Sequence, residues 1–339
     1  MRQRIRIVSK SCLLLVLLLP VLTGVAQDIQ IRTRVDLVVV PVTVKNKADK
    51  LVTGLTKQDF TVLEDGQRQT ITNFTIDPVP LSAAVLIDTG LSESSLSKVR
   101  KTFPALAGAF SEFDEVSVYR FDKFVKKVLD FSRDSAVVET SMKTLQDIKG
   151  DPIPYPPAPG GPFSIPGPVI NGAAVVPPGQ IGPASTARPK RIKVLNDAIF
   201  EAASELAKRE RDRRKVVLVI SDGYNEGSDH SYDDTVKSLL ETGIEVYAVG
   251  LEENVLTRAL SLLNKYAKAT GGDAYFVSSI QNIEQSYATA AEEARNQYIL
   301  GYVSTNRADG PAPVFRDIQV LVARAGFETL HRKGYYQFP

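Results

Sequence analysis

Two acidic residues in this sequence each come just after an apolar stretch that has the composition of a buried strand. Asp88 directly follows Ser82–Ile87, and Asp222 comes two positions after Val216–Ile220. A further oxygen-bearing side chain, Ser92, lies four positions beyond Asp88. Carboxylate and hydroxyl oxygens, completed by water, are suitable ligands for Mg²⁺ or Ca²⁺. Asp88, Ser92 and Asp222 are therefore candidate metal ligands if the fold brings them to one point.

The elements around these residues alternate between strand and helix from Leu81 to about Ala294. The strand patterns are Ser82–Ile87, Val116–Phe121, Val125–Phe131, Val216–Ile220, Val246–Val249 and Ala274–Val277. The amphipathic helix patterns are Ser94–Phe110, Ser135–Ile148, Lys193–Lys208, Tyr232–Thr242, Leu256–Thr270 and Ile283–Arg295. This alternation predicts the α/β class, with a doubly wound, mostly parallel six-stranded sheet and helices on both faces. The connection after Phe121 is too short for a crossover, so one antiparallel edge strand is expected at Val125.

Ligands of such sheets bind beyond the carboxyl ends of the strands. If the strands before Asp88 and Asp222 are neighbours, both carboxylates lie at the same end of the sheet. Ser92 then faces the same point, because it belongs to the loop that follows the first strand.

Strand patterns also flank the α/β region on both sides. They run from Val35 to Ile76, where Phe60–Glu64 and Gln69–Phe74 lie on either side of a hairpin turn signal at Asp65-Gly66. They resume as Tyr298–Val303, Phe315–Val322 and Phe327–Tyr336. Neither side has enough strands for a stable sandwich, whereas together they supply about six. We therefore expect one small β-sandwich formed by residues 27–78 and 297–339. The α/β domain, residues 80–296, is expected to be inserted between its strands.

The first 26 residues have the pattern of a secretory signal peptide. Basic residues come first, the apolar run Leu13–Leu19 follows, and Gly24 and Ala26 suit a signal-peptidase site. The alternative is a retained membrane anchor, but this run is well below the roughly 20 residues that span a bilayer. We expect a bacterial Sec-type signal. The protein is then secreted, or it lies in the periplasm or the cell envelope.

Removal of residues 1–26 changes the composition in two ways. The remaining chain has no cysteine, because the single cysteine of the sequence is Cys12. It keeps 37 Lys and Arg residues against 39 Asp and Glu residues, so the net charge changes from +2 to about −2. A weakly acidic chain gives no electrostatic reason to bind nucleic acid. No later segment is long and apolar enough to be a transmembrane span.

One segment does not fit the α/β pattern. Residues 150–190 contain 12 of the 20 prolines and almost no charge. Because proline lacks a backbone donor, neither a helix nor a regular strand is expected there. Loops of this length are usually functional or disordered. Disorder or loose polyproline structure is the prediction, an ordered lid is the alternative, and in either case the segment is expected to modulate the binding surface.

The residues after the two strands resemble a known site. Asp88-Thr89-Gly90-Leu91-Ser92 is similar to an Asp-x-Ser-x-Ser sequence, and Asp222-Gly223 to an Asp-Gly after a fourth strand. With a threonine from a distant loop, these sequences form the metal-ion-dependent adhesion site of von Willebrand factor A domains. The chain resembles this family over about Leu81 to Arg295. The resemblance implies a protein partner, whose carboxylate completes the coordination of a bound metal.

A narrower resemblance covers nearly the whole chain after the signal peptide. Proteins of the acidobacterial type pair such a domain with flanking β segments. The sequences that match this subgroup are Asp59–Gly66, Tyr298–Tyr302 and Arg332–Tyr336.

Two positions depart from the pattern of the adhesion site. Gly90 stands where the first serine is expected, and Lys193, four residues before Asp197-Ala198, stands where the threonine is expected. Thr186 is nearby but belongs to the Pro-rich segment. A lysine ammonium has no acceptor lone pair, so it cannot bind a divalent cation.

Three interpretations of the site therefore stay open. In the first, Asp88, Ser92 and Asp222 hold a metal in a weakened site. In the second, Lys193 takes the place of the metal through salt bridges to both aspartates. In the third, the acids cap turns and Ser92 caps the helix that follows it.

The sequence favours binding over catalysis. It has no Gly-x-Ser-x-Gly nucleophile elbow and no phosphate-binding loop, so a hydrolase that uses the two aspartates is the least favoured class. The leading hypothesis is an extracytoplasmic protein-binding or adhesion module with a degenerate metal-ion-dependent adhesion site. The alternative is a metal-independent scaffold or assembly factor of an envelope complex, with its β segments as the main interface.

Overall fold

Within the residues that the structure describes, four strands precede the first fully buried strand. The computed structural model describes residues 37–150, 192–251, 261–306 and 310–339, together with two short strands at 169–170 and 173–174. The first four strands are β1 (Leu37–Asn46), β2 (Phe60–Glu64), β3 (Gln67–Gln69) and β4 (Ile71–Thr75). Asp65 and Gly66, between β2 and β3, have φ angles of 49° and 78°. Positive φ at both central residues is typical of a two-residue hairpin, which confirms the predicted turn.

The middle of the chain forms the predicted α/β structure. Its elements are β5 (Leu81–Asp88), α1 (Glu93–Lys101), α2 (Phe103–Gly108), β6 (Glu115–Phe121), β7 (Val125–Ser132), α3 (Ser135–Lys143), β8 (Val169–Ile170), β9 (Ala173–Ala174), α4 (Leu195–Ala207), β10 (Arg214–Ser221), α5 (Tyr232–Thr242), β11 (Glu245–Gly250), α6 (Leu262–Thr270), β12 (Ala274–Phe276) and α7 (Ile280–Arg295). The central sheet has the order β12-β11-β10-β5-β6-β7. All neighbours are parallel except β6 and β7, which are antiparallel. The predicted six-stranded sheet with one antiparallel edge strand is confirmed.

Helices cover both faces of this sheet. Every residue of β5 is buried, as expected for a parallel strand with apolar layers on both sides. One layer contains α1, α2, α3 and α7, and the other contains α4, α5 and α6, because their buried side chains belong to two separate apolar clusters. The sheet is thereby fixed from both sides, which gives the loops at the ends of its strands a rigid base.

The terminal strands form two further sheets. The last four strands are β13 (Tyr298–Val303), β14 (Val314–Val322), β15 (Phe327–Leu330) and β16 (Gly334–Gln337). One sheet has the order β15-β1-β13-β4, and the other has the order β16-β14-β2-β3. A shared core joins them, with Val40, Val62, Leu300 and Ile318 all at most 2% exposed. This confirms the predicted β-sandwich from both ends of the chain. Asp36–Pro339 form one compact unit.

The sandwich has eight strands, whereas the sequence indicated about six. The predicted strand Gln69–Phe74 is divided, because β3 pairs with β2 and β4 pairs with β13 in the other sheet. The predicted strand Phe327–Tyr336 is also divided. Between its halves, the Lys333 amide donates to the Ala269 carbonyl oxygen at the end of α6, so this stretch packs on the α/β part and leaves both sheets.

One predicted helix is also divided. Ser94–Phe110 contains the two helices α1 and α2, separated at Thr102. Pro104, in the first turn of α2, cannot continue α1, because its ring removes a backbone donor and clashes with the preceding turn. The predicted end of α6 is confirmed at Gly271, which has a φ of 95°.

Some predictions fall on other parts of the chain. The predicted signal peptide, residues 1–26, lies outside the described residues, as do most of the Pro-rich segment and the predicted helix start at Leu256. Within the Pro-rich segment, β8 and β9 pair with each other, so the expectation that no strand forms there is wrong for these four residues, none of which is a proline. The domain boundaries near residues 78–80 and 296–297 stay predictions. Among the described helices, none combines the length and the apolar composition needed to cross a bilayer.

Candidate functional site

The carboxyl ends of β5 and β10 bring the two predicted acids to one place. These strands are parallel neighbours, with Ile87 opposite Ile220. Asp88 is the last residue of β5, and Asp222 comes one residue after the end of β10. The strand adjacency assumed from the sequence is therefore correct. We call the surface at this end of the central sheet the top face.

Lys193 lies between the two acids. Its Nζ is 2.6 Å from Asp88 Oδ2 and 2.9 Å from Asp222 Oδ1. Lys193 and Asp88 are both fully buried, whereas the Asp222 side chain is 23% exposed. The ammonium thus neutralises a carboxylate that has no contact with solvent. Without such a countercharge, burial of the ionised carboxylate would be strongly unfavourable. We call Lys193, Asp88, Asp222 and Ser221 the Lys193 centre.

The backbone around Lys193 is held on both sides. Its amide and its carbonyl each form a 2.9 Å hydrogen bond with the backbone of Glu226, in the loop after β10. The next amide, of Val194, donates to the Asp122 carbonyl oxygen in the turn between β6 and β7. Lys193 is therefore anchored to two other loops of the top face just before α4 begins at Leu195.

The carboxylate of Asp88 accepts several hydrogen bonds. Ser221 Oγ and Lys193 Nζ both donate to Oδ2 at 2.6 Å, and the Gly90 amide donates to Oδ1 at 2.9 Å. Burial raises the pKa of the Asp88 carboxyl, an effect that the adjacent Lys193 ammonium opposes. The Tyr224 amide donates to Asp222 Oδ1 at 3.0 Å. Both acids also fix turns, as the third interpretation of the sequence expected.

Ser92 has a different role from the one expected of a metal ligand. Its Oγ accepts from the Ser95 amide at 3.3 Å and contacts the Ser94 and Ser95 hydroxyls. These contacts make Ser92 the N-cap of α1. The structure therefore joins Asp88 and Asp222 through Lys193, and it uses Ser92 at the helix start. Thr186, the other candidate hydroxyl, lies outside the described residues.

The residues of the Lys193 centre do not fit a divalent cation. Mg²⁺ and Ca²⁺ bind oxygen ligands at about 2.0–2.6 Å, and the point shared by the two carboxylates is taken by Lys193 Nζ. Gly90 supplies no hydroxyl. Among the described residues, no group of three or more His, Cys, Asp and Glu side chains is arranged to hold a metal. The predicted Mg²⁺ or Ca²⁺ would have to displace a tethered cation.

Sequence reasoning missed two contributors to the centre. Ser221 donates to Asp88, and Glu226 holds the Lys193 backbone. A signal for Ser221 was present in the sequence: it directly precedes Asp222, and it ends the strand β10, whose neighbour β5 ends at Asp88. The pairing of Glu226 with Lys193 uses backbone atoms, which carry no sequence signal.

Two large apolar side chains are exposed next to the Lys193 centre. Phe124, in the turn between β6 and β7, is 53% exposed, and Ile192 is 43% exposed. The Arg120 guanidinium lies 5.0 Å from the centre of the Phe124 ring. Ile192 directly precedes Lys193 and lies against Gly227, where an added Cβ would be 2.9 Å from Ile192 Cγ2.

One family model matches the chain. Residues 185–296 match the von Willebrand factor type A domain. This range includes Lys193 and Asp222 but begins downstream of Asp88. No curated protein matches the chain in sequence.

Several solved structures are similar to this chain. BatB from Bacteroides thetaiotaomicron is 15% identical, with 62% of this chain and 99% of that chain covered at a TM-score of 0.39. A von Willebrand factor type A protein from Catenulispora acidiphila is 8% identical, with coverages of 81% and 73% and a TM-score of 0.43. Manganese-loaded TRAP from Plasmodium vivax is 8% identical, with coverages of 82% and 99% and a TM-score of 0.41.

These TM-scores all lie below 0.5, so the assignment rests on the family model and on the observed sheet. The narrower resemblance to proteins of the acidobacterial type is not confirmed and stays a prediction. The model match, the six-stranded sheet and the paired acids at its carboxyl end agree with the resemblance seen in the sequence. Residues 185–296 match the von Willebrand factor type A domain, and the described chain has the α/β sheet that the sequence resemblance implies.

Proposed function

We propose that this protein is an extracytoplasmic binding module that recognises another protein through its top face, and that it is not an enzyme. The observation that carries this proposal is the pair of exposed apolar side chains, Phe124 and Ile192, beside the rigid Lys193 centre. Large apolar side chains next to fixed charges are typical of the anchor residues of protein interfaces. Protein recognition is also the usual role of von Willebrand factor type A domains.

The state of the two aspartates supports binding over catalysis. Asp88 is fully buried and engaged by Lys193, Ser221 and the Gly90 amide. Asp222 is engaged by Lys193 and the Tyr224 amide. A general base must reach the proton that it removes, and Asp88 has no path to a bound substrate. The engagement of Asp88 thus supports a role in binding over one as a general base.

The compartment is proposed from the sequence alone. The basic start, the apolar run and the small residues before Gln27 support export by a Sec-type signal. A chain without cysteine after residue 26 is compatible with an oxidising compartment.

A photo-cross-linking amino acid placed at single exposed positions of the full chain tests the proposal. Phe124 reports on the top face. Phe113, which is 64% exposed and lies just before β6, is a matched control at the opposite end of the sheet. The exported chain, which starts at Gln27, is recovered from the periplasm or the medium. We expect it to form a discrete protein adduct from position 124 and none from position 113. Equal adducts from both positions, or none from 124, would contradict the proposal.

A scaffold or assembly role is the second candidate, and one observation favours it. The strand β14 carries Phe315 and Leu321, which are 42% and 53% exposed. They lie on the same side of the strand, because side chains alternate along it. A sandwich face with exposed apolar side chains is suited to protein contact. The same cross-linker at Leu321 tests this role, since an adduct from 321 without one from 124 would place the interface on the sandwich.

A further inference from the structure

The shape of the Lys193 centre depends on the absence of a side chain at position 90. A Cβ added to Gly90 would lie 3.3 Å from Lys193 Cε and 3.4 Å from Asp88 Oδ1. The first distance is tighter than ordinary carbon contacts, so a serine at 90 would press on the lysine. Gly90 and Lys193 therefore fit one another: the glycine leaves room for the lysine stem, and the lysine supplies the positive charge.

Each of the two aspartates supplies a hydrogen-bond acceptor to that charge. Lys193 Nζ donates to one oxygen of each aspartate, and Ser221 shares the Asp88 oxygen. Ser221 Oγ also accepts from the Gly223 amide at 3.1 Å. With these contacts the buried Asp88 carboxylate has both a countercharge and polar partners, which is the condition for keeping a buried ion pair.

The ammonium cannot leave the site as a metal ion can. Its backbone is paired with Glu226 and its neighbour Val194 is bound to Asp122, so the charge is covalently and sterically tethered. The side chain is fully buried, so it also offers no open coordination position to a partner's carboxylate. Recognition at this face must then use the surrounding surface.

We infer that Lys193 is a built-in cation that permanently replaces an exchangeable metal, with Gly90 as its steric counterpart, so that the top face has one fixed state at every divalent-cation concentration. This inference deepens the proposed function by assigning its regulation. Only the consequence for partner binding rests on the proposed function, because replacement of the metal by Lys193 can be tested without any partner.

The test measures metal binding by purified protein. Calorimetry and thermal unfolding are run with MnCl₂ or MgCl₂ and with EDTA, on the full chain from Gln27. For the natural sequence we expect no saturable heat of binding and a shift of the melting temperature of no more than about 1 °C. Saturable Mn²⁺ binding that Asp222→Asn abolishes would overturn the inference.

The double variant Lys193→Thr/Gly90→Ser supplies the complementary result. It restores two hydroxyls and removes the tethered charge, so Mn²⁺ should bind between Asp88 and Asp222. Above the dissociation constant, the melting temperature should then rise by about 2–4 °C for each tenfold increase in free Mn²⁺. A folded double variant that binds no metal would overturn the inference.

A matched control separates this gain from a general effect of the substitutions. Lys208, at the end of α4, is 68% exposed, and a side chain added at Gly108 meets nothing within 4 Å. The variant Lys208→Thr/Gly108→Ser should gain no metal response. If Lys193→Thr/Gly90→Ser does not fold with or without Mn²⁺, the calorimetry of the natural sequence decides the question. Failure of the cross-linking at Phe124 would leave all these metal results unchanged, so the two proposals fail separately.

Discussion

Two buried lysines in this molecule each bind carboxylates, but they do so in different places. Lys193 binds two of them, whereas Lys45 binds three, the third being the exposed Asp49 at 3.1 Å. Lys193 joins two loops of one sheet at the top face. Lys45, near the end of β1, joins the sandwich to the α/β part, with Nζ 2.5 Å from Asp273 Oδ2 and 2.6 Å from Glu293 Oε1. Its side chain is 3% exposed and that of Glu293 is 2% exposed. We call Lys45, Asp273 and Glu293 the Lys45 centre.

The difference between the two centres is one of position and not of chemistry. The Lys193 centre lies where open α/β sheets bind ligands, and two exposed apolar side chains, Phe124 and Ile192, lie next to it. The Lys45 centre lies at a junction, where β1 meets the start of β12 and the helix α7. A buried lysine with carboxylate partners is therefore not by itself a sign of a binding site, and its place in the fold decides how it is interpreted.

Replacement of Lys45 should have the largest effect and should separate the two centres. Lys45→Met leaves the Glu293 and Asp273 carboxylates without their countercharge, and removal of one partner of a buried pair costs about 3–5 kcal/mol. We expect the free energy of unfolding to fall by that amount, with no recovery in Mn²⁺. The measurement is urea unfolding followed by circular dichroism, because the chain has no tryptophan.

Lys50→Met is the matched control for this variant. Lys50 is exposed and lies shortly after β1, so its loss should change stability by no more than about 0.5 kcal/mol. A Lys45→Met variant as stable as the Lys50→Met variant would show that the junction does not depend on this ion pair.

The second largest effect should be the pH dependence of the unfolding free energy, which reports on the Lys45 centre. Burial raises the pKa of Glu293 to about 7, although the nearby Lys45 ammonium opposes the shift. A carboxyl whose pKa is raised on folding stabilises the protein below its unfolded value near 4.5, and this contribution is lost as the pH rises through 7. We expect the free energy of unfolding to fall by about 1–3 kcal/mol between pH 5 and pH 8.

Glu293→Gln should reduce this slope, and Glu292→Gln should not, because Glu292 is the exposed neighbour of Glu293 on α7. Part of the slope should remain in Glu293→Gln. Glu245 is also buried at the junction, where Gln297 Nε2 donates to its Oε2, and burial raises its pKa to about 7. An unchanged slope in Glu293→Gln would mean that the Lys45 centre does not titrate in the neutral range.

The smallest effect concerns Ser92 and sharpens the comparison at the top face. If Ser92 caps α1, Ser92→Ala should cost about 1 kcal/mol of unfolding free energy through the lost bond to the Ser95 amide. This loss should be equal in EDTA and in Mn²⁺ if, as we infer, Lys193 replaces the metal and Ser92 serves only as the N-cap. A loss that appears only in Mn²⁺, in thermal unfolding, would make Ser92 a ligand.

The sequence predicted the central sheet well for a physical reason. The strands β5 and β10 are buried on both faces, so each is a continuous apolar run that can be recognised without knowledge of its neighbours. The place of Lys193 was also predictable, because it follows from the register of Asp197-Ala198 on α4. Both features could be predicted because they depend on residues that are close to one another in the sequence.

The remaining features depend on contacts between distant residues. Asp273 lies 228 positions from Lys45, and nothing near either residue in sequence indicates the pair. The division between β15 and β16 arises because Lys333 bonds to the end of α6. The fit of Gly90 to Lys193 Cε is likewise a matter of three-dimensional packing, since the sequence shows only that a serine is missing.

The pairing of distant strands in the sandwich also determines the order in which this chain can fold. The Leu55 amide donates to Tyr298 Oη, 243 positions later. The strands β2 and β3 can pair with each other early, but β1 and β4 have no strand partners until the strands after α7 have been synthesised. Their unpaired edges stay open to other chains during that time. The α/β part is complete by Arg295, and it holds its two flanks close together, with Thr75 opposite Ile299. It therefore acts as the template on which the sandwich closes, and it greatly reduces the entropic cost of that long loop.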